Sequence, residues 1–223
     1  MILDHTYPNY VRKMQSLTNG NKYNGAYYYS KEIVKNIIPY VQTNRNWVTV
    51  RIPEINDIPD HSIIFIHNNC NPNYYEYLKV LKDCILVCGL PSTRDNVSFF
   101  GKAIYLPLSV DVKQVEKYKL KNKTKDCAFA GRRSKINFCG NRLPKNCDIL
   151  TDMPQSQLLR EMAKYKKIYA TGRVAIQAKI LGCELGLADR RFNSTDIWKV
   201  LDNRDAAKML QHMINEIDGE NND

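Results

Sequence analysis

Short apolar runs rich in β-branched and aromatic residues recur along this chain, and the segments between them carry apolar residues at helical spacing. That alternation restricts the fold to α/β architectures with a mostly parallel sheet covered on both faces. In the first half the runs are residues 46–52 (NWVTVRI), 62–67 (SIIFIH), 84–88 and 103–106, with a further short run at residues 1–4. Residues 5–25 form a polar loop, and residues 26–38, 73–81 and 91–100 have helical character. Ile33, Val34, Ile37 and Ile38 make one apolar stripe, Pro39 ends it, and Pro91 stands near a helix start. The second half repeats the theme with strands expected at 127–130, 147–150, 167–170 and 183–187, and helices at 155–165, 174–181, 196–201 and 204–217. In the last of these, Ala206, Ala207, Met209, Leu210, Met213 and Ile217 form the stripe expected to be buried. The pattern predicts two small α/β domains, residues 1–110 and 111–223, facing each other across a cleft of the kind that ligands prefer.

The 223 residues are 43% hydrophobic, enough for real cores, yet no apolar run approaches the length of a membrane span. Residues 1–15 lack the charged start, apolar middle and small-residue cleavage site of a secretory signal, so a cytoplasmic protein without a transmembrane segment is expected. Seven cysteines are scattered with no C-x-x-C pair, and Cys84, Cys88, Cys127 and Cys183 sit in or beside apolar runs. They read as buried structural thiols in a reducing compartment, with no metal site expected. The net charge of +10 is concentrated: residues 113–145 contain eleven Lys and Arg against Glu116 and Asp126. Such a block is a solvated linker, a nucleic-acid surface or the wall of a phosphate pocket. Residues 113–125 have the spacing of an exposed linker, whereas Arg132, Arg133 and Lys135 follow a strand end.

Two stretches point to a phosphate. In YATGRVAIQAKILGCE, residues 169–184, an apolar run meets Thr171, Gly172 and Arg173 and then opens a helix. Glycine there lets backbone N–H groups approach an anion, and the helix start adds partial positive charge. An ordinary capped connection looks the same, so a second feature has to support it. It is DCAFAGRRSK, residues 126–135, where another apolar run ends in Gly131 and is followed by Arg132, Arg133 and Lys135. Ligands of open α/β sheets bind outside the carboxyl ends of the strands, and two such corners suit one diphosphate.

On these motifs the chain resembles the GT-B superfamily of nucleotide-sugar glycosyltransferases, in a small bacterial or phage-type form, and the resemblance implies that its two α/β domains are Rossmann-like. Asn24, Gly25 and Ala26, with Tyr27 behind them, look like the acceptor-side loop of that family, and IYLPLSVDV at residues 104–112 looks like its crossing segment. AFAGRRSK looks like its donor diphosphate turn and ATGRVAIQAKILGCE like its donor helix. The resemblance implies that Gly131, Arg132, Arg133 and Lys135, with the amides of Gly172, Arg173 and Val174, hold the donor pyrophosphate. It implies that Gln177 stands where many members bind the ribose through a glutamate, and Tyr169 where retaining members often place a carboxylate facing the sugar. A glutamine amide can still bond a ribose diol, but a tyrosine supplies no carboxylate.

The implied reaction is sugar transfer from a nucleotide-sugar to an unidentified acceptor, a glycan or DNA, with fixed cations and no metal or other cofactor stabilising the departing diphosphate. Inversion also needs a base. His67 at the end of SIIFIH is the first candidate, His5 the second and Asp111 the third, with a structural role for either histidine equally open. A non-catalytic nucleotide-binding protein, or a phage-type DNA-modifying glycosyltransferase using the basic surface, are the alternatives.

Overall fold

The run SIIFI has no polar face, and it forms an inner strand of a parallel sheet. The structure, a computed structural model, describes residues 32–48, 60–66 and 82–219. These residues divide into two units, one formed by 32–48, 60–66, 82–107 and 204–219, the other by 108–203. In the first unit β1 (Asn46–Val48), β2 (Ser62–Ile66), β3 (Ile85–Cys88) and β4 (Lys102–Tyr105) pair in that order, all parallel, with Trp47 opposite Ile63, Ile64 opposite Leu86 and Val87 opposite Ile104. Every residue of β2 and β3 is buried, which is why both read as unbroken apolar runs rather than alternating ones. α1 (Pro91–Val97) opens on Pro91, where the missing N–H costs nothing, and its Val97 joins Val48, Ile64, Ile66, Leu86 and Cys88 in one core cluster. Residues 32–36 are helical, with Ile33 and Ile37 wholly buried, and the turn Ile38–Tyr40 that follows contains Pro39, as the stripe predicts.

The second unit begins with α2 (Val112–Glu116), capped by the Asp111 carboxylate, which accepts a hydrogen bond from the Gln114 amide at 2.8 Å. Residues 113–116 of the expected linker are therefore helical, and residues 117–124 are turn and coil, most of them exposed. β5 (Lys125–Ala130), β6 (Asp148–Leu150), β7 (Tyr165–Ala170) and β8 (Glu184–Leu187) form a second all-parallel sheet in the order β6-β5-β7-β8. Between β5 and β6 lies α3 (Ile136–Cys139), a turn too short for periodicity to reveal. α4 (Gln155–Met162) packs through Leu159 and Met162, and α5 (Arg173–Ile180) lies on β7 and β8. Residues 196–201 are a turn, not a helix. The Ser194 hydroxyl bonds both the Asp196 amide and its carboxylate at 3.0 and 2.8 Å, and that local bonding competes with helix formation. Buried Trp198 meets Phe192 edge-on there.

α6 (Asn203–Gly219) belongs, from Arg204 on, to the first unit rather than to the second half of the chain. Ala206, Ala207, Leu210, Ile214 and Ile217 are its buried stripe, while Met209 is 40% exposed, so the stripe is rotated from the expected one by the inclusion of Ile214. Arg45 ties this helix to the strand starts. Its guanidinium, 1% exposed, donates to Asp218 Oδ1 at 2.6 and 2.9 Å, to Asp83 Oδ1 at 3.1 Å and to the Asp83 carbonyl at 2.7 Å. His61 Nδ1 lies 2.5 Å from the other Asp83 oxygen. His61 and Asp83 both hold a left-handed backbone, φ 57° and 49°, that non-glycine residues reach only at a cost of about 1 kcal/mol or more, and their side-chain bonds offset it.

The His61 bond is the largest influence on the Asp83 carboxyl; burial opposes it, Arg45 reinforces it, and the pKa falls below the usual carboxylate value. A depressed carboxylate stabilises the fold above its unfolded pKa and loses that contribution as pH falls through its folded pKa. Stability of the first unit is expected to decline below about pH 4. Arg45→Ala is expected to lower it by about 3 kcal/mol in urea denaturation, the low end for breaking a buried charge pair, because the carboxylates left behind reach water.

Candidate anion-binding site

β5 and β7 are adjacent and parallel, with Phe129 opposite Tyr169, so the chain leaves both strands at the same edge of the second sheet. From there it turns in opposite directions, from β5 to β6 on one side and from β7 to β8 on the other. This is a topological switch point, the place where an open α/β sheet leaves a crevice between two departing loops.

Both loops are built around glycine. Gly172 adopts φ 65° and ψ −141° as the residue before α5, a conformation that side-chain-bearing residues avoid, and no side chain caps the helix it opens. The first amides of a helix lack intrahelical partners, so this end presents donors and partial positive charge. After β5, Gly131 extends the ladder by donating to the Leu150 carbonyl at 3.2 Å, and the chain then coils through residues 132–135 into α3.

Lys135 joins the two corners: its Nζ donates to Thr171 Oγ1 at 3.1 Å. Burial pushes the Lys135 ammonium below the usual lysine value, and the nearby charges of Arg132 and Arg191 push the same way against Asp189. A lysine held among other cations in a partly desolvated place is matched to an anion. Arg132 is exposed, and no ion pair among the described residues holds its guanidinium. Arg133 instead reaches sideways to Asp152, beyond the end of β6, at 3.3 Å. Of the expected diphosphate ligands, Lys135 thus reaches the residue before Gly172 with Arg132 close enough to weigh on its charge, while the Gly131 amide is taken by Leu150 and Arg133 is drawn to a surface carboxylate.

The end of β8 adds a pair that the sequence reading did not single out. Asp189 is 2% exposed and holds Arg191 through both carboxylate oxygens, the shortest contact being 2.6 Å to Nη2. Burial would raise the Asp189 carboxyl, but the Arg191 bonds outweigh it and the pKa is lowered. The Arg191 guanidinium also lies 4.4 Å over the Phe138 ring, and Arg142 bonds the Asp189 carbonyl at 3.0 Å. The available signal was LADRR, polar charge directly after the fourth strand of a sheet whose other strand ends had already been flagged.

Tyr169 is half-buried and packed against its neighbours. Its ring joins a core with Phe129, Cys139 and Ala188 and lies so flat on Gly186 that a Cβ there would come 2.5 Å from Tyr169 Cδ1. Gln177 is 3% exposed, inside the buried face of α5. Asp111 is occupied as the cap of α2. His5, His67, Asn24, Gly25 and Tyr27 lie outside the described residues. Part of the basic block is bonded within its own unit. Lys123 Nζ donates to the carbonyls of Ala163 and Leu181, and Lys125 Nζ to the Tyr165 hydroxyl.

Among the described residues no group of three or more His, Cys, Asp or Glu is placed to hold a metal, and no helix is long and apolar enough to cross a membrane. Comparison with family models, curated proteins and solved structures finds no match.

A lysine with a lowered pKa works against folding: between its folded pKa and the ordinary one the unfolded chain binds more protons, so stability rises with pH across that alkaline window. Lys135→Met is therefore expected to leave the free protein's stability within about 1 kcal/mol of the parent or above it, and to flatten that alkaline rise, as read by thermal melts across pH. A clear loss of stability would mark Lys135 as a structural tie instead.

Proposed function

We propose that the second unit holds the diphosphate of a nucleotide-activated sugar, and that the protein is a glycosyltransferase of the two-domain GT-B kind, with the first unit serving the acceptor. One observation carries this reading: the Lys135 Nζ to Thr171 Oγ1 bond of 3.1 Å, which brings the cationic corner after β5 and the helix-opening corner after β7 to one crevice. A diphosphate seated there would meet Lys135, Arg132 and the start of α5, with Arg191 held nearby by Asp189. In sugar transfer the bond from the anomeric carbon to the diphosphate breaks and negative charge grows on the departing phosphate. Fixed cations and a helix start stabilise that charge without reorganising during the reaction. The acceptor hydroxyl loses its proton to a base, for which His67 and then His5 remain the candidates.

A second reading is favoured by Tyr169 and Gln177. With the tyrosine packed on Gly186 and the glutamine buried, neither family carboxylate position supplies a charged group, as in a protein that binds a nucleotide without turning it over.

A thermal-shift screen across nucleoside diphosphates and nucleotide sugars separates these readings. A ligand at about a hundred times its Kd is expected to add about 2.7 kcal/mol, a rise of roughly 5–10 °C in Tm. Arg132→Ala and Lys135→Ala should each remove most of it. Sugar transfer or donor hydrolysis that is lost in His67→Ala supports the enzyme, and a shift with neither activity supports the binding protein. No shift with any nucleotide would overturn both.

A further inference from the structure

Six free cysteines fall among the described residues; Cys84, Cys88, Cys139 and Cys183 are buried, and Cys127 and Cys147 are half-buried. The two accessible ones are neighbours. Ala128 pairs with Asp148 in the parallel β5–β6 ladder, so one step back along both chains Cys127 stands beside Cys147 on the same face. Adjacent strands are about 5 Å apart, inside the range of Cα separations a disulfide spans. Burial, with Cys127 beside it adding to the effect, pushes the Cys147 thiol up to about 12. On the other side of Cys127 the β5–β7 register places Lys167, whose ammonium is held by Glu184 at 2.5 Å.

We propose that Cys127 and Cys147 form a dithiol site that reacts with low-molecular-weight disulfides and closes to an internal disulfide. The Cys127 thiolate attacks one sulfur of the disulfide R–S–S–R, forming a mixed disulfide and releasing R–S⁻, which takes up a proton. Cys147 then loses its proton to solvent and attacks the Cys127 sulfur, expelling the second thiolate. The protein is oxidised by two electrons and the small disulfide is reduced to two thiols.

The consequence lies in what the bridge encloses. Residues 128–146 contain the whole turn after β5, with Arg132, Arg133, Lys135 and Arg142. Closing it restrains the loop that carries the cations of the crevice, and a cross-link across about 20 residues stabilises chiefly by restricting the unfolded chain. This inference stands apart from any nucleotide chemistry, since it concerns the thiols and the loop alone.

The test uses the full chain, reduced, freed of reductant and incubated with oxidised glutathione, followed by peptide mass mapping without reduction. Expected are a linked peptide pair joining Cys127 to Cys147, Tm raised by at least about 5 °C, and tryptic cleavage after Arg132, Arg133 and Lys135 slowed several-fold. Cys147→Ser should instead retain glutathione on Cys127, a check that survives even if Cys127→Ser folds poorly. Stable glutathione adducts on the parent protein without the internal link, or earlier oxidation of Cys70 or of any buried cysteine, would overturn the site. A bridge that forms without changing cleavage or melting would overturn its effect on the loop.

Discussion

The parallel pairing of β5 with β7, with Phe129 opposite Tyr169, governs the second unit. Because the strands are adjacent and point the same way, their following loops emerge side by side. Because β6 and β8 lie on opposite flanks, those loops must diverge. Everything at the crevice follows from that divergence: the left-handed Gly172 that lets α5 begin so close to the strand end, the coil after Gly131 that carries Lys135 back toward Thr171, and the Asp189–Arg191 pair beyond β8. Tight strand approach has its own requirement, met by Gly186, whose missing side chain makes room for the Tyr169 ring.

The chain's excess positive charge has two distinct roles. Lys123 and Arg142 spend their donors on carbonyls and Lys125 bonds the Tyr165 hydroxyl, so these cations hold turns together. Arg45 does the same for the first unit, gathering the starts of the strands and the end of α6. Lys135 and Arg132 differ. One is partly desolvated among like charges and bonds only a hydroxyl, and the other is exposed beside it, an arrangement that suits an incoming anion. Net charge alone does not distinguish these roles; the partners of each side chain do.

Much of this was legible before any coordinates. The runs of β2 and β3 and the last residues of β5 and β7 are apolar, and such runs alternating with helical stripes point to parallel strands. The two glycine corners were legible for the same reason, because Gly131 and Gly172 each end an apolar run. Strand order was not, since no residue pattern says that β7 returns to the flank of β5 rather than extending past β6. Nor was the destination of α6, whose stripe fits any apolar surface; a shift from Met209 to Ile214 is a small rotation that only the packed partner decides. The failure at residues 196–201 came from Ser194 and Asp196, whose side chains satisfy the backbone locally and remove the need for a helix. Cys127 read as a buried hydrophobe because its run is apolar, yet it follows the exposed first two residues of β5 and is half-buried beside Cys147.

The central claim is that two loops hold one anion, and amide chemical shifts during a pyrophosphate titration of the isotope-labelled protein address it directly. The account expects amides of residues 131–135 and 171–174 to move together, fitted by a single Kd, with Lys135→Met abolishing both sets of changes. Shifts confined to one loop, or spread over the exposed lysines of residues 113–121 while both glycine corners stay still, would contradict it.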